Sequence, residues 1–212
     1  MSKGALDEAV NFLKSGSPVV YPTETFYGLG VDPYNEDAVR SVFEVKGREE
    51  GKPISLIVKD MEMARELVSD FPPWAMALAE EFWPGPLTML LKGGRDLLSL
   101  LTGREGKVGL RISSNPWAMR LVESFGSPIT ATSANRSGAA SPVAAEDVLA
   151  GLGGTVPLIL DGGRLRGTKG STVLDANVFP PVVIREGEIP ALLLEKIWKR
   201  YISSERVLSA GS

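Results

Sequence analysis

Apolar positions along this chain switch repeatedly between helical spacing and short unbroken runs. Leu6, Ala9, Val10 and Leu13 recur at helical spacing, and Gly16 is placed to end that helix. Residues 18–21 (PVVY) then read as a buried strand. Residues 35–46 read as a helix with Val39, Val42 and Phe43 on one face, and residues 54–58 (ISLIV) as a strand before a helix that Asp60 can cap. A helix over 72–82 is stopped by Trp83-Pro84-Gly85-Pro86. Strands follow at 87–91 and 108–112, and Asn115-Pro116 opens a helix that runs to Phe125 before Gly126. A strand at 129–132 enters a polar loop over 133–141. A short helix near 144–149, strands at 156–160, 172–174 and 182–184, and a helix over 191–201 complete the pattern.

Roughly seven strands alternating with six helices predict an α/β sheet domain. Hairpin-like spacing after Leu160 predicts a mixed sheet rather than a parallel one. No linker-like stretch or repeat divides the chain, so one domain over residues 1–202 is expected, with 203–212 as a flexible tail.

Composition narrows the chemistry through what is missing. The 212 residues include no histidine and no cysteine. That excludes Ser-His-Asp and Cys-His machinery, disulfides and His- or Cys-ligated zinc within this chain. Lys, Arg, Ser, Thr, Asn and carboxylates remain, a set suited to holding and stabilising phosphates. The start of the chain lacks the pattern of a signal peptide, and no apolar run is long enough to span a membrane, so a cytoplasmic protein is expected. A net charge of −3 gives no global pull toward nucleic acid, so any basic site must be local.

Four polar or glycine-rich clusters fall at the ends of predicted elements, where α/β proteins bind ligands. Residues 21–30 (YPTETFYGLG) offer two hydroxyls and a carboxylate, with glycines that permit a tight turn or close approach; the plain alternative is a turn between a strand and a helix. Lys46, Arg48 and Lys52 gather near a helix C-terminus, where the macrodipole alone would favour cations. An ordered turn holding all three close would need an anion such as triphosphate among them. Residues 132–138 (TSANRSG) and Ser141 form a hydroxyl-rich loop after a strand, a turn-forming composition that also suits phosphate oxygens. Arg111 and Arg185 end strands and can each bind a carboxylate or phosphate bidentately or form a surface ion pair. No phosphate-loop or dinucleotide fingerprint is present.

Taken in order, YPTETFYGLG, KGR with KP, WPGPLT, VGLR, TSANRSG, DGG, STV and IREG resemble the YrdC-type threonylcarbamoyl-AMP synthase family, in its single-domain form. The resemblance implies an open, twisted, mixed sheet flanked by helices, around a large electropositive concave cavity. It implies a nucleotidyltransferase that converts L-threonine, bicarbonate or CO2 and ATP to threonylcarbamoyl-AMP, pyrophosphate and water, for threonylcarbamoyladenosine modification of tRNA. By position, Thr25, Arg111, Ala131 and Ser171 are expected to hold L-threonine, and Arg48, Lys52, Ser133, Asn135, Ser141 and Arg185 to hold ATP. Lys46 and Arg48 are expected to carry the catalysis. Mg2+ would arrive on the triphosphate, with no metal site in the protein itself. A downstream threonylcarbamoyl transferase complex and a tRNA or double-stranded RNA contact are the implied partners.

Three departures from the family pattern stand out. Lys107 replaces a threonine near the nucleotide, Ile57 stands where some two-domain relatives carry histidine, and Ser113 replaces a usual proline, a change expected to alter only the local turn. The rival expectations are an RNA-binding module using the same basic cavity, an inactive paralogue, and the related domain of hydrogenase-maturation proteins, which are longer and carry zinc-finger regions absent from these 212 residues.

Overall fold

The computed structural model describes residues 2–51 and 53–210, with side chains described as far as residue 202. Its elements, in chain order, are α1 (Lys3–Lys14), β1 (Val19–Pro22), β2 (Tyr27–Gly30), α2 (Glu36–Lys46), β3 (Ser55–Ile57), α3 (Met61–Glu66), α4 (Pro73–Phe82), β4 (Leu87–Lys92), α5 (Ser99–Thr102), β5 (Lys107–Arg111), α6 (Pro116–Phe125), β6 (Ile129–Thr130), β7 (Thr132–Ser133), α7 (Ala145–Leu152), β8 (Leu158–Ile159), β9 (Thr172–Asp175), β10 (Val182–Arg185) and α8 (Ala191–Ala210). Most helix boundaries follow the expected caps. Asn35 and Asp60 accept the first-turn N–H groups of Ala38 and Met63, and Asn115 caps α6 ahead of Pro116. The last helix continues past residue 201 to Ala210.

Two sheets form. One runs β7-β2-β1-β8 and the other β10-β9-β4-β5-β3-β6. Both are mixed: β1·β8, β3·β5 and β4·β9 pair parallel, and the remaining pairs are antiparallel. The sheets are tied at Thr130, whose carbonyl accepts the Tyr21 hydroxyl at 2.8 Å and whose side chain accepts Val31 N at 2.9 Å. Helix α1 packs on α6, and α4 on α8. Among the described residues no helix is long and apolar enough to cross a membrane.

The 21–30 segment differs from the expected strand-turn-helix. It is a hairpin, with Tyr21 opposite Gly28 and Val19 opposite Gly30. Thr23 closes its loop, with its backbone N–H and hydroxyl both donating to Phe26 O. Short, glycine-rich β2 carries little strand propensity of its own, which is why the pattern missed it. It forms because the buried Tyr21 ring lies across its glycines. A Cβ built on Gly30 would stand 2.7 Å from Tyr21 Cε1 and 3.3 Å from Thr130 O.

That crowding is testable. Gly30→Ala is expected to destabilise the fold by about 1–3 kcal/mol, since neither the ring nor the carbonyl can retreat. Urea unfolding of the variant beside the wild type reads the difference, and an unchanged midpoint would show that the hairpin has slack.

Candidate functional site

A concave cavity of about 630 Å3 lies between the six-stranded sheet, the β1–β2 loop, the end of α2 and the 132–141 loop. Its size suits a small molecule rather than a duplex. Every expected site residue that the structure describes lines it: Thr25, Lys46, Arg48, Arg111, Ala131, Ser133, Asn135, Ser141, Ser171 and Arg185. Lys52 lies outside the described residues. Gly109 keeps the floor low, because a Cβ there would come within 2.6 Å of Ser55 Oγ and 3.1 Å of Thr88 Cγ2.

One corner is built around Arg111, at the end of β5 and only 6% exposed. Its Nη1 donates to Glu24 Oε1 at 2.9 Å and to Thr25 Oγ1 at 3.4 Å. The Nε atom is buried without a partner, and no bond is made by Nη2, so the Nε–Nη2 edge of the fork is unused among the described residues. That edge is the geometry that takes a carboxylate bidentately. The Thr25 hydroxyl has a defined polarity. Thr23 commits its hydrogen to Phe26 O at 2.6 Å, so in the 3.1 Å contact between the two threonines Thr25 donates. Its oxygen therefore accepts from Arg111 and from whatever N–H or O–H group a ligand presents.

Lys46 anchors a second corner. Helix α2 ends with Gly47 in the left-handed conformation, at φ 57°, and the cation projects from the last turn. Its three ammonium hydrogens meet three oxygens: Ser133 O, Asn135 O at 2.9 Å and Asn135 Oδ1 at 3.2 Å. Ser133 Oγ donates to the same Oδ1 at 2.6 Å, and Asn135 Nδ2 donates to Ala139 O at 2.6 Å. Lysine, serine and asparagine thus form one closed network that shapes the loop. The Lys46 charge still faces the cavity, but its hydrogens are spent on the chain. Burial, then the neighbouring Arg48 guanidinium, push the ammonium down to about 8.

The remaining cations are held by backbone oxygens. Arg48 Nη2 donates to Pro53 O at 3.2 Å, and Arg185 Nη2 to Ser171 O at 2.9 Å. Burial lowers both, and Arg111 lowers Arg185 further. A register shift in β10 between Val183 and Arg185 lets Ile184 and Arg185 both face the cavity, where strict alternation would separate them. Ser171 Oγ lies 2.8 Å from the buried Thr88 Oγ1. Ala131 N is spent on Ser55 O at 2.7 Å, so only its carbonyl is free to meet a ligand.

Some functional neighbours were legible only in part. Glu24 belonged to a cluster already singled out, but its partner Arg111 lies 87 positions away, and spacing does not reveal such a pair. Thr88 sat unremarked within WPGPLT. Ser113 does more than alter a turn. It is fully buried, and its hydroxyl donates to Glu24 Oε2. Lys107 stands at the far end of β5, paired with Asp175 at 2.7 Å and Glu105 at 2.6 Å, and does not line the cavity. Ile57 is buried in the core.

The Sua5/YciO/YrdC family, described as telomere recombination, matches residues 11–187. The chain is 38% identical over 189 residues to the threonylcarbamoyl-AMP synthase of Pyrococcus abyssi, covering 89% of this chain and 56% of that protein. It is 37% identical over 191 residues to the threonylcarbamoyl-AMP synthase of Bacillus subtilis, covering 90% of this chain and 55% of that one. The solved structure of P. abyssi Sua5 complexed with L-threonine superposes with a TM-score of 0.90 at 36% identity, over 93% of this chain and 58% of that one. The chain spans about half the length of these relatives.

The Lys46 environment has a pH signature. An anion in the cavity favours the charged ammonium, so affinity for sulfate, whose own charge is constant in this window, should fall as pH is raised from about 7 to about 9, through the lowered value. Calorimetric titration across that window reads the effect. A flat profile would mean that Lys46 keeps its proton throughout or is not sensed by the anion.

Proposed function

This chain belongs to the Sua5/YciO/YrdC family, and from that membership we propose that it is a threonylcarbamoyl-AMP synthase, joining L-threonine and bicarbonate or CO2 to the AMP moiety of ATP. The observation that carries the reading is the unused Nε–Nη2 edge of buried Arg111, in one cavity with Lys46, Arg48 and Arg185. One corner offers a carboxylate fork and the other a concentration of positive charge for phosphate oxygens.

L-Threonine enters with its carboxylate on Arg111 and its polar groups toward Thr25, the Ala131 carbonyl and Ser171. The lone pair that Thr25 presents suits an amine N–H. ATP lies along the other wall, against Arg48, Ser133, Asn135, Ser141 and Arg185, with Lys52 as a further phosphate contact. The threonine amine attacks CO2 to form a carbamate, and the proton leaves to solvent. A carbamate oxygen then attacks the α-phosphate and pyrophosphate departs, while bicarbonate as the carbon source gives up water. Negative charge gathers on phosphoryl oxygens in that step, where Arg48, Arg185 and the Lys46 charge oppose it without reorganising. Holding both substrates in one cavity removes the entropic cost of their encounter.

Mg2+ does not fit as a protein-ligated ion. Glu186 is the one carboxylate among the described residues on the cavity wall, and its Oε2 already accepts Ala191 N at 2.9 Å. Any Mg2+ arrives on the triphosphate, held by phosphate oxygens and water. The same reading makes residues 1–202 one catalytic domain in a cytoplasmic setting, with tRNA as the final acceptor through a downstream transferase. An RNA-binding module is the weaker reading: Arg185 is exposed, but Arg111 is only 6% exposed and a hollow of about 630 Å3 is too small to seat a duplex backbone.

The direct test is mass spectrometry of products formed from labelled bicarbonate, L-threonine and ATP, with pyrophosphate release in parallel. Label in a threonylcarbamoyl adenylate is the expected result, and pyrophosphate release indifferent to threonine would reject the activity. Arg48→Ala should abolish release while the fold persists. Ser171→Ala should weaken L-threonine binding more than ATP binding, and equal losses would remove Ser171 from the threonine side.

A further inference from the structure

Arg111 can receive a carboxylate in one orientation only while something fixes its fork. A guanidinium on a long side chain has several rotamers, and each presents a different edge to the cavity. Glu24 holds Nη1 at 2.9 Å, and the carboxylate of Glu24 is itself held at its other oxygen by the Ser113 hydroxyl. Ser113 has no freedom to turn away. Its oxygen accepts Asn115 N at 3.1 Å, which leaves its single hydrogen for Glu24. Asn115 in turn donates through Nδ2 to Thr23 O at 3.1 Å while its Oδ1 caps α6. The approach to α6 therefore grips the β1–β2 loop at the Glu24 carboxylate and at the preceding Thr23 carbonyl.

We infer that Ser113 and Glu24 form a positioning relay that orients Arg111 and thereby sets the enzyme's affinity for the carboxylate of its amino-acid substrate. The inference rests on the synthase reading above, with Arg111 as the carboxylate site. Neither residue of the relay is among the residues assigned to a substrate. Ser113 lines no part of the cavity, and its influence passes through two hydrogen-bonded contacts. Removing its hydroxyl leaves one oxygen of a carboxylate that is only 12% exposed without its partner. That carboxylate must then shift to find water, and the Arg111 fork shifts with it.

The test is steady-state kinetics on Ser113→Ala and Ser113→Thr beside the wild type, with thermal melts to confirm folding. Ser113→Ala should raise the KM for L-threonine about tenfold, the size of one hydrogen bond to a charged group, with the KM for ATP unmoved. Ser113→Thr keeps the hydroxyl and should restore most of the loss. A role in folding alone would lower the melting temperature and affect both substrates together. Glu24→Gln provides a second measurement, because it removes the charge at the centre of the relay while keeping its shape. It should raise the threonine KM at least as far as Ser113→Ala. An unchanged threonine KM in Ser113→Ala, or equal losses for threonine and ATP, overturns the relay. A wild-type protein whose turnover ignores L-threonine would instead overturn the synthase reading, and the relay's stated role with it.

Discussion

A guanidinium that is 6% exposed has lost most of its hydration, and burial of that kind is tolerable only where the charge is paired or hydrogen-bonded. In this protein the paired anion is Glu24, and meeting it draws two distant stretches together, residues 23–24 and residues 111–115. Glu24 comes from the β1–β2 hairpin, Arg111 from the end of β5, and Ser113 and Asn115 from the approach to α6. One buried pair thus joins the smaller sheet to the larger. The pair is also incomplete, since Nε of the arginine is buried with no partner among the described residues. Glu24 satisfies enough of Arg111 to fold it in, and leaves the Nε edge of the guanidinium open to the cavity.

Lys46 solves the same desolvation problem differently. Its charge is matched by three neutral oxygens rather than by a carboxylate, so the hydrogen bonds are satisfied while the positive charge survives. Burial and Arg48 act on a lysine whose hydrogen-bond partners are neutral oxygens, which is why its ammonium is lowered. Arg48 and Arg185 follow the same pattern, each donating to a backbone carbonyl. A carboxylate partner at any of these positions would cancel the positive charge there. The cavity therefore separates into a corner where charge is partly neutralised and a wall where it is kept.

Much of the scaffold was legible because it is locally encoded. Asn35, Asp60 and Asn115-Pro116 announce helix starts through short-range hydrogen bonds, and Gly47 and Gly126 mark helix ends by conformations that glycine adopts freely. The largely apolar runs of β3, β4 and β5 reflect burial, interrupted at Ser55 and Thr88 where the sheet faces the cavity. β2 was not legible, because YGLG becomes a strand only under the ring of Tyr21. Nor was the division into two sheets, which depends on pairings between residues about a hundred positions apart, such as Gly28 with Ser133.

By itself, the sequence determined the chemistry: no histidine or cysteine, clustered cations and hydroxyls at element ends, and ordered motifs resembling one family. Residue type alone settles which groups can ionise or donate, so those conclusions needed no coordinates. Only the tertiary structure decided how each group is used. Lys46 looked like a free phosphate clamp until three oxygens were found around it, and Ser113 looked like a turn residue until its hydroxyl was found on Glu24. Hydrogen-bond direction and desolvation depend on neighbours brought from far along the chain, and no local pattern encodes them.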